Sequence, residues 1–429
     1  MPADADVAAE LAAQLDRRDP LARFRDEFFL PSDTLYFDGN SLGLLSRRAE
    51  ASLLRLVDEW RAHGIEGWTT GELPWIGLAE TAAAGLVPLL GAAADEVCVC
   101  GQTTSNLHQL LATLYDPDHP TRRVLVGDTL NFASDTYALR SHLRLRRVDP
   151  SAHLRLIASR DGRGLWLEDI LESLADDVQI VVLPAVVFTS GQLLDVATIT
   201  RKARERGILV GWDLSHSIGA VPHALDRDGV DFAFWCHYKW LNSGPGAVGG
   251  LYVNRRHFDR APGLAGWWGV RPERRFAMAP EHEPAGGAAA LHVGTPHLLS
   301  IAPLLGSLEL IAEAGGIAAL RAKSLALTDF LMARVEAELA PLGFTIATPR
   351  GAAARGGHVA LAHPDAWRIC QALKRAGVVP DFRAPDLLRL APSPLYTRFA
   401  DCADAMARLR EVVASRAHER MPAAPSLVP

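Results

Sequence analysis

The chain has 429 residues, 44 of them Lys or Arg against 50 Asp or Glu, for a formal net charge of −6, and 49% of it is apolar. That is an ordinary globular composition, long enough for roughly two to three domains. The mild acidity argues against nucleic acid or an anionic membrane surface as partner, since such binders carry basic patches.

The N-terminal stretch MPADADVAAELAAQLDRRDP carries acids where a secretory signal needs positive charge, and it lacks an apolar segment of signal type. The longest apolar runs, such as 180–188, have about half the length that spans a bilayer. Five cysteines scattered over the chain make no disulfide framework. These features predict a cytoplasmic, reduced protein with no membrane or nucleic-acid partner. The basic residues divide unevenly: four lysines (Lys202, Lys239, Lys323 and Lys374) leave 40 arginines. Arginine stays protonated and forms no imine, so any lysine chemistry has only these candidates.

Taken in order, short β-rich runs at 35–38, 97–100, 124–127, 180–183, 208–213, 232–236 and 250–253 alternate with amphipathic helical stretches. The helical stretches lie at 48–62, 105–115, 134–146, 167–175 and 196–206. Near-continuous apolar strands spaced by helices predict an α/β fold with a mostly parallel sheet covered on both faces. The Pro-, Gly- and Ala-rich stretch 267–295 has little periodicity and reads as a long excursion, functional or partner-facing. From about residue 301 the texture changes. A long helix at 318–339 leads into short strands near 344–347, 358–361, 378–382 and 388–390, with helices at 364–376 and 396–417. The expected organisation is an N-terminal segment over 1–45, a large domain over 46–300 and a smaller α/β domain over 301–429.

Some motifs compete for attention. GNSLG at 39–43 matches the Gly-x-Ser-x-Gly nucleophile elbow between a strand and a helix, which makes Ser41 a candidate hydrolase nucleophile. An elbow, however, rises from a sheet that has already laid down several strands; a tight turn with permissive glycines is the competing reading. GPGAVG at 244–249 matches Gly-x-Gly-x-x-Gly, yet a strand follows it, so the phosphate-binding helix N-terminus is missing. Glu281, His282, Glu283, His292 and His297 show no tight ligand spacing on a recognisable helix, and no metal is expected.

Lys202, Lys323 and Lys374 lie on helical patterns with arginines close by, where a solvated face is expected. Lys239 differs. In DFAFWCHYKWLNSGPG it follows an apolar, aromatic strand, sits between Tyr238 and Trp240, and enters a Gly-rich turn. Burial without a partner disfavours the ammonium form, as an imine-forming amine needs; a lysine snorkelling from a strand end is the alternative. In GILVGWDLSHSIG an apolar strand ends at Asp213, at the sheet edge where open α/β folds bind ligands, and His216 follows three residues later. A strand-end Asp and a later strand-end Lys suit pyridoxal phosphate. The lysine carries the Schiff base, and the carboxylate keeps the pyridine nitrogen protonated so that the ring acts as an electron sink. GQTTSNLHQLLATLY at 101–115 adds hydroxyls and free N–H groups at a helix start, suited to a phosphate monoester or to a plain N-cap.

The motifs FDGNSLGL, GQTTSNLH, NFASDTY, GWDLSHSIGAVP, DFAFWCHYKWLNSGPG, GWWG and LLRLAPSPLY, in that order, resemble those of the kynureninases over about 36–399. The resemblance implies a PLP-dependent transferase fold of type I, the aspartate-aminotransferase fold, with a seven-stranded, mostly parallel sheet and a smaller C-terminal α/β domain. It implies pyridoxal 5′-phosphate as cofactor and a homodimer with shared active sites. The implied reaction is hydrolytic Cβ–Cγ cleavage of L-kynurenine or its 3-hydroxy analogue, through aldimine and ketimine intermediates. The products are anthranilate or 3-hydroxyanthranilate and L-alanine, in tryptophan catabolism and NAD biosynthesis.

At matching positions, Lys239 resembles the imine lysine, Asp213 the pyridine-nitrogen partner with His216 beside it, and Phe132 the residue stacked on the ring. Thr103, Thr104, Ser134, Asp135 and Tyr238 resemble groups that hold the cofactor or its phosphate, and Tyr238 also a proton donor to the product. Trp268 and Thr295 match positions contributed to the cofactor site by the neighbouring subunit. Arg389 matches the arginine that grips the substrate α-carboxylate, and Ser41 a substrate-pocket residue. The chain departs from the family pattern at Thr295, where many relatives have Asn, and at Pro184, where a small hydroxyl residue is common; the 62–74 segment, which bears on the aryl pocket, also differs from the vertebrate pattern. The competing readings are a cysteine desulfurase or lyase of the same superfamily, which needs a mobile, exposed cysteine, a non-catalytic cofactor-binding protein, and the serine hydrolase.

Overall fold

The computed structural model describes residues 2–423. Seven strands build the central sheet: β1 (Val97–Val99), β2 (Val124–Asp128), β3 (Leu154–Ile157), β4 (Val178–Pro184), β5 (Leu209–Asp213), β6 (Phe232–Cys236) and β7 (Gly249–Val253). Their spatial order is β1-β7-β6-β5-β4-β2-β3. β2 to β6 pair in parallel, and β7 runs antiparallel to both β6 and β1. β4 and β6 are buried at every residue, which explains their unbroken apolar runs: strands covered by helices on both faces have no polar side to display. The chain leaves β1 at one edge and re-enters as β2 near the other. That crossover opens a crevice beyond the strand ends, the position where such sheets take ligands.

The strand at 232–236 forms as expected, and most other boundaries shift by a residue or two. β3 and the helix Leu78–Leu90 were not foreseen. That helix is almost entirely Ala, Leu, Gly and Val, carries Pro88 near its end, and packs into the core, so no polar stripe marks it. The excursion over 267–295 holds only short turns such as Trp267–Gly269, Pro272–Arg274 and Gly287–Leu291. Among the described residues no single helix is long and apolar enough to cross a membrane.

A second core surrounds the four-stranded antiparallel sheet of Thr345–Ile346, Val359–Ala362, Asp381–Arg383 and Leu387–Leu390. The stretch 378–382 is not one strand. Pro380 lacks the N–H a ladder needs, so Val378–Val379 pairs with Leu35–Tyr36 while Asp381–Arg383 joins the small sheet. The changeover between cores falls later than residue 300. The apolar helix Leu298–Glu313 lies against Arg47–His63 and Leu78–Leu90, and second-core membership begins at Leu327 within Gly316–Arg334. The N-terminal segment bridges the two units, with Ala12 and Phe37 in the second core and Asn40 and Ser41 on the wall of the main cavity.

Lys323 corrects the expectation of a solvated helix face. It is only 8% exposed, and its Nζ lies 2.7 Å from Asp19 Oδ2. Gly316–Arg334 is covered on most sides, and the ammonium's burial is offset by that carboxylate. Lys202 matches the expectation, exposed and paired with Glu205 at 3.0 Å.

Candidate active site

A cavity of about 440 Å³ opens beyond the C-terminal ends of β1, β2, β5 and β6. Each wall comes from the few residues after a strand. β1 runs into Gly101, which adopts φ +53° in a turn where a Cβ would lie 2.4 Å from Asn106 Oδ1. The turn releases Thr103 and Thr104 as the first residues of the helix Thr103–Leu114. After β2, Phe132 precedes the helix Ala133–Leu145, whose first turn carries Ser134 and Asp135. β5 ends on Asp213, with His216 in the following turn, and β6 leads through His237 to Tyr238 and Lys239. Ser41 closes the cavity from the N-terminal segment. Ten sequence candidates thus meet on one cavity: Ser41, Thr103, Thr104, Phe132, Ser134, Asp135, Asp213, His216, Tyr238 and Lys239.

The glycines of GNSLG serve packing. Gly43 N–H donates to Tyr238 O at 2.8 Å, and a Cβ on Gly43 would lie 2.2 Å from Asn242 Oδ1 and 2.4 Å from Lys239 O. Only glycine lets this turn brace the lysine-bearing loop. Ser41 is bonded to Arg389 Nη2, at 3.3 Å, and to the carboxylate of Asp38. Its neighbours are therefore not those of an elbow serine. GPGAVG likewise feeds straight into β7 and opens no helix.

Lys239 is half-buried and has a partner, which the sequence reading did not foresee: its Nζ stands 2.8 Å from His216 Nε2. Burial, together with the positive charges of Lys239 and Arg389, holds His216 well below its ordinary value. The imidazole is therefore neutral and accepts the lysine's hydrogen bond. Burial pushes the Asp213 carboxyl up against the downward pull of Lys239, and its Oδ1 accepts the Ser215 N–H at 2.8 Å. Asp135 is raised by burial and by the charge of Asp213, and its Oδ2 has no partner. Burial also lifts Asp128, which sits behind this wall, to about 7. Tyr238 is pushed up, chiefly by burial, and stays a phenol.

These features fit pyridoxal phosphate. Two helix N-termini with Thr103, Thr104 and Ser134 suit a phosphate dianion. Asp213, with the orphaned Asp135 Oδ2 nearby, is a buried negative region that a protonated pyridine would neutralise. Phe132, half exposed on the rim, offers a ring face.

Three candidates lie elsewhere. Arg389 is fully buried behind the wall. Its Nε donates to Asp381 Oδ2 at 2.6 Å, its Nη1 donates to Phe188 O, and Ser41 connects it to the cavity. Trp268 is buried beneath the Arg275 guanidinium, 3.9 Å from its ring centroid, beside Trp68. Thr295 lines a second cavity of about 310 Å³ with Cys100, Ser105 and His292. Sequence reasoning missed Asp128, Phe188, Asp381 and Arg383. Arg383 lines the cavity and shares Asp381 Oδ2 with Arg389, at 2.9 Å. A signal existed only for Asp128, which ends β2 as Asp213 ends β5. All five cysteines are buried, which removes the exposed thiol a desulfurase requires.

Comparison with known proteins agrees with this geometry. The family profile for the kynureninase C-terminal domain matches residues 320–409. The kynureninase of Geobacillus thermodenitrificans (strain NG80-2) is 50% identical over 411 residues, covering 96% of this chain and 96% of that protein. Those of Shouchella clausii (strain KSM-K16) and Bacillus anthracis are 50% and 48% identical, covering 93% and 94% of this chain and 92% and 94% of theirs. Among solved structures, the apo cysteine desulfurase of Thermococcus onnurineus NA1 superposes with a TM-score of 0.77 at 16% identity, covering 92% of this chain and 98% of that one. A variant of the cystine C–S lyase C-DES, with glycine linked to its PLP cofactor, gives 0.77 at 18% identity, covering 90% and 99%. At that identity these two neighbours share the fold alone. The chain belongs to the kynureninase family, pyridoxal-phosphate-dependent enzymes of fold type I.

Proposed function

We propose that this chain hydrolyses the Cβ–Cγ bond of L-kynurenine, or its 3-hydroxy analogue, to L-alanine and the corresponding anthranilate, in tryptophan catabolism or NAD biosynthesis. The observation that carries the reading is the convergence of Lys239, Asp213 and two hydroxyl-bearing helix N-termini on one cavity. When bound, the cofactor supplies an electron sink for the bonds broken at Cα and between Cβ and Cγ. Thr103, Thr104 and Ser134 hold its phosphate, Phe132 covers its ring, and Asp213 keeps its nitrogen protonated. Lys239 Nζ anchors the cofactor and then takes and returns the substrate's α-proton. Neutral His216 accepts its hydrogen bond and steers it. The Tyr238 hydroxyl, a phenol across the working pH range, delivers a proton to the product's β-carbon.

Arg389 grips the α-carboxylate, oriented by Asp381, with Ser41 as the link to the cavity. We further propose a cytoplasmic homodimer in which Trp268 and Thr295 complete the partner's site. Support comes from the exposed Trp267, Phe276, Met278, Val293 and Leu299 along and just beyond the excursion that carries both residues.

Purified protein incubated with pyridoxal phosphate should gain a visible or near-ultraviolet chromophore, and anthranilate fluorescence should grow on adding L-kynurenine. Absence of a chromophore would overturn the reading; a chromophore without anthranilate would shift it to a sister reaction of the fold.

A further inference from the structure

Alternation along β1, continued one residue past its end where Cys100 N–H donates to Gly249 O, sends Cys98 and Cys100 to the same face of the sheet. His292, the residue that ends the turn Gly287–Leu291, reaches the same point from the excursion. Their two sulfurs and one ring nitrogen all lie within 4.8 Å of one another, and the residues are 3%, 7% and 4% exposed. Three soft donors from distant parts of the chain thus converge in the interior, outside the cofactor cavity.

We propose that Cys98, Cys100 and His292 form a binding site for a soft divalent metal ion of the zinc class. Tetrahedral zinc, with bonds of about 2.3 Å to sulfur and about 2.0 Å to nitrogen, holds its ligand atoms roughly 3.5–3.8 Å apart. Side-chain rotations of about an ångström close the observed triangle to that size. Binding converts two thiols to thiolates and releases their two protons to solvent, so a divalent ion with a neutral imidazole gives a site of no net charge. That balance suits an interior that already holds the buried guanidinium of Arg275. Asn106 Oδ1 lies 3.6 Å from Cys100 Sγ, and Gln109 pins the backbone before His292 by donating to Leu291 O at 3.1 Å. The second cavity, walled by Cys100 and His292, offers the ion a path and room for a fourth ligand. Because β1 runs directly into the turn bearing Thr103 and Thr104, a bound ion would tie that turn to the segment ending at Thr295. The proposal is independent of the reaction above, and its test reads metal binding instead of turnover.

Chelator-treated holoenzyme titrated with Co²⁺ should take up one ion per chain. Thiolate-to-cobalt charge transfer and tetrahedral ligand-field bands should appear, the latter at wavelengths beyond the cofactor's absorption, with two protons released. Zn²⁺ should displace the colour. Cys98→Ser and Cys100→Ser should each abolish the bands, while Cys370→Ser, in the second core, should keep them. Should a serine variant fail to fold, His292→Gln provides the reading, with affinity down at least about 10-fold. No tetrahedral bands in the wild type, bands that survive either serine substitution, or an unchanged cobalt affinity in His292→Gln, would overturn the proposal. Uptake only as weak octahedral cobalt on surface histidines would overturn it equally.

Discussion

Two of the four lysines, Lys239 and Lys323, meet opposite kinds of partner, and the partners set them apart. On the helix Gly316–Arg334, Lys323 is buried and fixed by Asp19 at 2.7 Å. In the large unit Lys239 bonds instead to a neutral imidazole, His216, at 2.8 Å, on the wall of a 440 Å³ cavity. A carboxylate holds an ammonium in place, whereas a neutral acceptor lets the amine exchange a proton and swing to a ligand. Burial alone therefore does not mark a reacting lysine; the partner and the open space do.

The contrast breaks most severely at Lys239. Lys239→Arg keeps the charge but should lower turnover by about 10³-fold or more, measured as anthranilate release. The second largest effect should appear in stability. Lys323→Met leaves Asp19 buried without its cation and should cost about 3–5 kcal/mol in denaturant unfolding, with activity per folded molecule unchanged. Adding Asp19→Leu should recover most of that loss. Arg389→Lys gives up the planar fork and should raise KM by about 10–100-fold while the cofactor spectrum stays intact. Loss of the cofactor would contradict its assigned role.

Asp128 supplies a pH signature. Its native value of about 7 lies above that of the unfolded chain, so the native state binds more protons in between. Its contribution therefore erodes apoprotein stability as pH rises from about 4 to about 7. Asp128→Asn should raise the apoprotein Tm at pH 8 and leave it unchanged at pH 4. The smallest effect is expected at Ser41. Ser41→Ala should cut kcat/KM by less than about 10-fold, the worth of one hydrogen bond, whereas a nucleophile would lose all activity.

Most of the candidate site was legible because each part sits within a few residues of a strand end, where local sequence and position in the sheet coincide. Asp213, Lys239, Thr103 and Ser134 are of this kind. What failed to show depends on contacts between distant segments. Nothing near Lys323 in sequence announces Asp19, some 300 positions away, because a helix covered on most faces has lost its polar stripe. Arg389 is set by Asp381, Phe188 and Ser41, drawn from three parts of the chain. The meeting of Cys98 and Cys100 with His292 is equally remote in sequence. The helices Leu78–Leu90 and Leu298–Glu313 were not foreseen for a related reason: both are apolar nearly all round and contain proline. The small-unit break at Pro380 shows the converse, a single residue that splits a strand between two sheets.

The central claim is that one lysine of four carries the cofactor. Borohydride reduction of the holoenzyme, followed by digestion and peptide mass spectrometry, reads it directly. The pyridoxyl mass should appear on the peptide that contains Lys239 and on no other. Label on Lys202, Lys323 or Lys374, or no stable label after the chromophore has been bleached, would contradict it.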